Sequence, residues 1–220
     1  MSRTSEDSYR HKGLRKQLVD ALKEKGISDQ KVLDAINHVP RHFFFDIDFE
    51  KIAYEDRAFP IGEGQTISHP YTVAYQTQLL EIQPFEKVLE IGTGSCYQSC
   101  ILAELRAQVY TIERQKRLYD YNKNEFVFIK KYPQIKMFFG DGFQGLPTYA
   151  PFDKIIITAA APFIPPRLIE QLKPGGLMVV PVDEDDCQRM LRIRKNRDNT
   201  ISQEKFDQFS FVPMLEGKNN

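Results

Sequence analysis

Short apolar runs alternate with amphipathic stretches along most of this chain, and the alternation predicts its architecture. Residues 88–91, 108–112, 135–139, 154–158 and 177–182 are brief, rich in β-branched, leucine and aromatic residues, and bounded by polar or glycine-containing segments. Each has the length and composition of a strand buried on both faces. Between them, 97–105, 116–130 and a short stretch around 167–172 have a helical pattern. Strands and helices in alternation argue for a parallel sheet covered on both sides. After Asp183 the pattern changes: 190–194 and 208–212 are predicted strands with no good helix between them, hence an antiparallel hairpin at the sheet edge. Upstream, Leu14, Leu18, Ala21 and Leu22 fall on one helical face, and Gly26 stops that helix. Ser28 is placed to cap a second helix carrying Val32, Leu33, Ala35 and Ile36, which ends before Pro40. His42, Phe43, Phe44 and Phe45 are expected to plug these helices onto the main body. The stretch 52–70 shows no clear period, and a helix follows over 71–80.

Composition narrows the classes of function. The 220 residues are enough for one sizeable core. Lys plus Arg and Asp plus Glu both number 30, so no global field recruits nucleic acid or a membrane, and neither is expected as a partner. The first ten residues lack the apolar centre of a signal peptide, and no apolar run approaches the ~18 residues that cross a bilayer. Cys96, Cys100 and Cys187 are few, odd in number and match no common zinc spacing, while the four histidines are scattered. A cytoplasmic location without a metal or a disulfide is therefore expected. A monomer is the default expectation.

Candidate chemistry starts where strand 88–91 runs into Gly92-Thr93-Gly94-Ser95-Cys96 and a helix follows at once. Such a turn brings backbone close to a nucleotide-like ligand. Glu113, twenty-one residues beyond Gly92, ends the next strand, where a carboxylate would lie over ribose hydroxyls. The third glycine of a pyrophosphate fingerprint is missing, because residue 97 is tyrosine. A parallel sheet closed by an antiparallel hairpin, with this two-glycine turn, typifies S-adenosylmethionine-dependent methyltransferases.

Further blocks make the pattern more specific. Residues 60–70 (PIGEGQTISHP), 88–98 (VLEIGTGSCYQ), Gly140-Asp141-Gly142, 150–165 (APFDKIIITAAAPFIP), 171–176 (QLKPGG) and Phe211-Val212-Pro213 occur in this order. Together they resemble the protein-L-isoaspartate O-methyltransferases, and the likeness runs from about Leu14 to Gly217. The resemblance implies one α/β domain over 1–220: a doubly wound, mostly parallel, seven-stranded Rossmann-like sheet with an antiparallel C-terminal hairpin and an N-terminal helical extension. Residues 1–9 are expected to be disordered, 10–82 to hold helices and a substrate loop, 83–182 the cofactor-binding core, and 183–220 the antiparallel strands. The implied reaction is methyl transfer from S-adenosylmethionine to the free α-carboxylate of L-isoaspartyl residues in damaged proteins. The resulting ester gives up methanol readily when the backbone nitrogen attacks it, so succinimide re-forms and part of it reopens to normal aspartate.

Roles follow from the matching positions. Ser68 is expected to hold the substrate carboxylate, with Thr66 and Ile67 shaping the same loop and Tyr71 touching cofactor or substrate. Gly92, Gly94 and Ser95 would admit the methionine portion of the cofactor, Glu113 the ribose, and Asp141 with Gly142 the adenine. On residues alone, Gln65–Ser68 fits a segment capping the helix near Pro70, Glu113 fits an ion pair with Arg114 or Lys116, and Asp141 fits an ordinary turn. Other readings of the whole are a methyltransferase of the same fold acting on a small molecule or RNA base, or a silent binding homologue. Cys96 stands where the family usually has glycine, and its side chain must face either the cofactor or the helix–strand contact.

Overall fold

The computed structural model describes residues 6–220. Seven strands form one sheet in the order β5-β4-β3-β6-β7-β8-β9. They are β3 (Lys87–Ile91), β4 (Gln108–Glu113), β5 (Ile135–Phe139), β6 (Phe152–Ile157), β7 (Leu172–Glu184), β8 (Cys187–Lys195) and β9 (Ile201–Phe209). Pairing is parallel from β5 to β7 and antiparallel across β7, β8 and β9. Strand order reverses at β3, which has β4 on one side and β6 on the other, and this opens a crevice at the strands' carboxyl ends.

The period-two alternation of these strands divides the core between the two sheet faces. Val88, Val109, Ile156 and Val179 belong to one apolar cluster, under α1 (Tyr9–Glu24), α2 (Gln30–His38), α3 (Pro70–Leu79) and α4 (Tyr97–Glu104). Leu89, Tyr110, Ile155 and Met178 belong to the other, covered by α6 (Pro166–Gln171) and short 3-10 turns. Phe44 carries the N-terminal extension onto the body, meeting Tyr97, Phe126 and Phe128 edge-on, as expected of an aromatic plug.

Several expectations need correction. Residues 1–5 lie outside the described residues, but the segment just before α1 is engaged rather than disordered. Ser8 caps α1 by accepting from His11 N–H, and Asp7 pairs with Arg15 at 3.0 Å. The second helix is capped by Asp29, whose carboxylate accepts from Lys31 N–H, while the Ser28 hydroxyl donates to Gln78 Oε1 instead of facing the helix end. The helix expected over 116–130 is α5 (Lys116–Asp120), followed by a π turn over Tyr121–Glu125 and a separate 3-10 turn over Val127–Lys131. On one continuous helix Phe126 and Phe128 would point about 160° apart. The break at Phe126 turns both onto Phe44. The last strand ends at Phe209, earlier than expected, because the turn Asn196–Thr200 fixes where the hairpin begins. Its residues are mostly polar, which suits an exposed edge and leaves no apolar period to read.

The aperiodic stretch conceals a hairpin, β1 (Phe59–Gly62) and β2 (Gln65–Ile67). Glu63 and Gly64 form its two-residue turn, both at positive φ (53° and 65°), the conformation whose twist suits a tight hairpin. This hairpin carries residues 65–68 to the crevice.

Candidate active site

The glycine turn is built by close approach. At Gly92, with φ 98°, any Cβ would lie 2.5 Å from Thr158 Oγ1. That hydroxyl is fixed by the carbonyls of Ile91 (3.0 Å) and Gly92 (2.8 Å), so it cannot yield cheaply. Gly92 and Thr93 N–H both donate to Ile112 O on β4. The Gly94 amide donates to Glu113 Oε2 and the Gln115 amide to Oε1, each at 2.8 Å. Asn122, brought inward by the π turn, donates to Gly94 O at 2.7 Å. Glu113 is 4% exposed, and burial raises its pKa against the opposing pull of the Gln115 and Gly94 amides. It is thus an internal carboxylate shaping the turn, not half of a surface pair with Arg114 or Lys116.

Beside this turn lies a cavity lined by Ile91, Gly92, Gly94, Glu113, Gly142 and Thr158. At Gly142 a Cβ would come within 2.4 Å of Ile91 Cγ2, so this wall too requires glycine. The outer wall is the C-terminal segment Val212–Leu215. It is held at one end by Ala160, which donates to Val212 O and accepts from Met214 N–H, and at the other by bonds between Asn219 and the Arg114–Lys116 backbone. Asp141 lies beside the lining rather than on it, with Oδ1 accepting from Phe143 N–H at 2.9 Å.

Two smaller cavities adjoin the first, and all three share Thr66 and Thr158. Ser68 lines both smaller ones; Ile67 and Ser95 line one of them with Tyr97 and Gln98. Ser95 therefore sits on the Ser68 side, its hydroxyl accepting from Tyr97 N–H at 3.3 Å. Capping does not explain Ser68. The N-cap of α3 is His69, no side chain caps it, and Pro70 fills the first turn. Tyr71 stands apart from these cavities, its ring against Tyr75 and Phe209 and its amide donating to Asp56. Behind the Ser68 loop sits Arg41, fully buried, whose Nη2 donates to Ser68 O at 2.8 Å. Sequence reasoning missed Arg41; its only signal was a cation just ahead of an aromatic cluster.

The family model for protein-L-isoaspartate(D-aspartate) O-methyltransferase matches residues 13–219. The chain belongs to this family. The Flavobacterium johnsoniae protein-L-isoaspartate O-methyltransferase is 54% identical over 213 residues, spanning 97% of this chain and 99% of its own. That of Christiangramia forsetii is 53% identical over 215 residues, spanning 97% and 99%. A solved protein-L-isoaspartate O-methyltransferase superposes with a TM-score of 0.81 at 24% identity, over 90% of this chain and 65% of that one. A Plasmodium falciparum structure, solved with S-adenosyl-L-homocysteine, gives 0.76 at 24% identity over 91% and 98%. At such identities the superpositions speak for the fold. Family membership makes this chain an S-adenosylmethionine-dependent protein carboxyl methyltransferase acting on L-isoaspartyl residues.

The structure also places Cys96, expected to stand where the family usually has glycine. Cys96 has φ 71°, the left-handed conformation that favours glycine. Its side chain is fully buried and points to the helix–strand contact, with Sγ 3.8 Å from Met137 Sδ, and it lines none of the three cavities. A second cluster, Asp7, His11 and His42, draws potential metal ligands together away from these cavities. Its ring nitrogens are already bonded, His11 to Ser8 and Glu50, His42 to the Tyr54 hydroxyl and Glu6 O, while Asp7 is held by Arg15. The group fastens the segment before α1 to the rest of the extension.

Proposed function

We propose that the substrate α-carboxylate is held at Ser68, by its hydroxyl and neighbouring backbone N–H groups, and that the methyl donor occupies the adjoining Glu113 cavity. The observation that carries this reading is the meeting of the three cavities at Thr66 and Thr158. Donor and acceptor chambers share a wall, as a direct transfer requires. The residues present suit S-adenosylmethionine: Gly92 and Gly142 leave space where any Cβ would clash, and a buried carboxylate faces the cavity between them. When bound, this cofactor supplies a sulfonium-activated methyl group.

The protein's own residues have a positioning task. An α-carboxylate, with an ordinary pKa of about 3.3–3.7, is already ionised at neutral pH, so no general base is needed. Ser68 donates without adding a full charge that would blunt the nucleophile. Glu113, having accepted one backbone N–H on each oxygen, keeps lone pairs for the two ribose hydroxyls. Asp141 has Oδ1 committed to Phe143 and offers Oδ2 to the adenine amino group. Ile67 and Ile91 border these chambers and exclude water, which favours a reaction that merges opposite charges. Good orientation alone is worth up to ~7–11 kcal/mol.

Radiolabelled S-adenosylmethionine offered with two peptides, identical but for an isoaspartyl or normal aspartyl linkage, tests the assignment. Base-labile label is expected on the isoaspartyl peptide alone, and Ser68→Ala is expected to lower kcat/KM about 10–100-fold with S-adenosylhomocysteine affinity unchanged. Wild-type activity in Ser68→Ala would refute the placement. We also infer a cytoplasmic monomer. The aromatic residues that could have formed an interface pack internally, Phe44 on Tyr97 and Phe206 and Phe209 on Tyr75. Among the described residues no helix is long and apolar enough to cross a membrane. A stable dimer in sedimentation would overturn the monomer.

A further inference from the structure

Arg41 has no evident reason to be where it is. It is 0% exposed, yet its hydrogen bonds all go to backbone carbonyls: Ala53 at 3.1 Å, Arg57 at 3.3 Å and Ser68 at 2.8 Å. None goes to a carboxylate. The nearby acid, Asp56, is occupied by Lys25 at 2.6 Å and by the Tyr71 amide. The guanidinium lies over the rings of Tyr97 (5.0 Å) and Phe45 (5.8 Å), while its Nη1 and the Tyr97 hydroxyl both lack a well-formed hydrogen bond. Burying a cation without a counter-ion is costly, and aromatic faces repay it only in part. Burial lowers the Arg41 pKa to about 10, so the group remains charged at neutral pH. A positive charge with no carboxylate hydrogen-bonded to it among the described residues therefore sits directly behind the loop assigned to the substrate carboxylate, with Asp56 the acid nearby.

We propose that Arg41 is a positioning residue for that carboxylate, acting through the Ser68–His69 peptide and supplying the buried positive charge that an incoming anion meets. The proposal rests on the Ser68 reading above. Three segments converge on the guanidinium, through the carbonyls of Ala53, Arg57 and Ser68, so one side chain sets the position of the hairpin that carries Thr66 and Ser68. Hydrogen bonding at Ser68 O also polarises the peptide and makes the His69 N–H a stronger donor. His69 lines the same cavity as Ser68. Because the cation stands one peptide away, it attracts the carboxylate without pairing with the attacking oxygen. That arrangement favours an anionic acceptor and leaves its nucleophilicity intact.

The test is steady-state kinetics with an isoaspartyl peptide on Arg41→Met, Arg41→Lys, Ser68→Ala and the Arg41→Met/Ser68→Ala double variant, with S-adenosylhomocysteine affinity by calorimetry. Arg41→Met is expected to raise the peptide KM at least about tenfold, and Arg41→Lys, which keeps the charge but loses the fork, about threefold. The KM for S-adenosylmethionine and the S-adenosylhomocysteine affinity should stay within about twofold. In the Ser68→Ala background the Arg41→Met effect should shrink to under about threefold, because both act on one loop. If Arg41→Met does not fold, Arg41→Lys carries the same comparison. Peptide and cofactor constants moving together, or neither moving, would overturn the proposal. Impaired Ser68→Ala beside wild-type Arg41 variants defeats this inference alone; a wild-type Ser68→Ala defeats the reading beneath it.

Discussion

Glu90 offers a sharp test of how burial sets charge in this core. It stands in the middle of β3, between Thr111 on β4 and Ile156 on β6, and its side chain is 0% exposed. Ser99 on α4 donates to Oε2, but among the described residues Oε1 has no well-formed hydrogen bond and no cation acts on the carboxyl, while Glu113 adds a like charge nearby. Burial, opposed only by the Ser99 and Thr111 hydroxyls, pushes its pKa from 4.5 to about 8. A carboxyl so placed favours its protonated form in the fold. Its contribution to stability is full below the unfolded value of 4.5 and is lost as pH rises through about 8. At about 1.4 kcal/mol per pH unit, the interval from 4.5 to about 8 sets a ceiling of about 5 kcal/mol, and relaxation around the charge brings the expected figure to roughly 2–5 kcal/mol. Glu90→Gln mimics the protonated acid and cannot ionise. Its Tm should match wild type near pH 5 and exceed it by roughly 5–15 °C near pH 9, given about 2–4 °C per kcal/mol for a chain of this size. Scanning calorimetry of both proteins across this range at fixed ionic strength reads the difference, in which titrations of groups not coupled to Glu90 cancel. Parallel Tm profiles would refute the reasoning and mean that Glu90 is ionised or resolvated in the native state.

Two further substitutions probe the cofactor side. Glu113→Gln turns one backbone-accepting oxygen into an amide donor facing the Gly94 or Gln115 N–H, so S-adenosylhomocysteine affinity should fall about 100-fold, near 2.7 kcal/mol, in calorimetry; a change under about threefold would remove Glu113 from the site. Cys96→Gly relieves left-handed backbone worth about 1 kcal/mol but forfeits a buried side chain of similar value, so stability should move by less than about 1 kcal/mol and cofactor affinity by less than about twofold. A fivefold gain in affinity would show that the thiol distorts the cavity after all.

What the sequence disclosed and what it concealed divide along the range of the interactions involved. Strands β3, β4, β6 and the central part of β7 were legible because both faces are buried, so composition alone marks them; Ile155, Ile156 and Ile157 are all fully buried on β6, while the half-exposed β5 was marked by its apolar run. Gly92, Glu113 and Gly142 were legible because the crevice at the carboxyl ends of parallel strands recurs wherever strand order reverses. The break in the 116–130 helix was not legible, since it depends on Phe126 and Phe128 both reaching Phe44, over eighty residues away. Nor was the mostly polar edge strand β9, which starts at the Asn196–Thr200 turn and whose few apolar residues, Phe206 and Phe209, reach Tyr75 without making a period. Tyr71 was drawn toward the ligand by adjacency to Ser68, but one step into α3 its ring turns to Tyr75 and Phe209. Arg41 is the extreme case. Nothing local distinguishes it from a surface arginine until folding brings Ala53, Arg57 and Ser68 carbonyls around it, with Asp56 nearby but bonded elsewhere. Motifs therefore expose the groups that line the crevice through short, recurring geometry, while the groups packed behind them become visible only when distant segments are brought together.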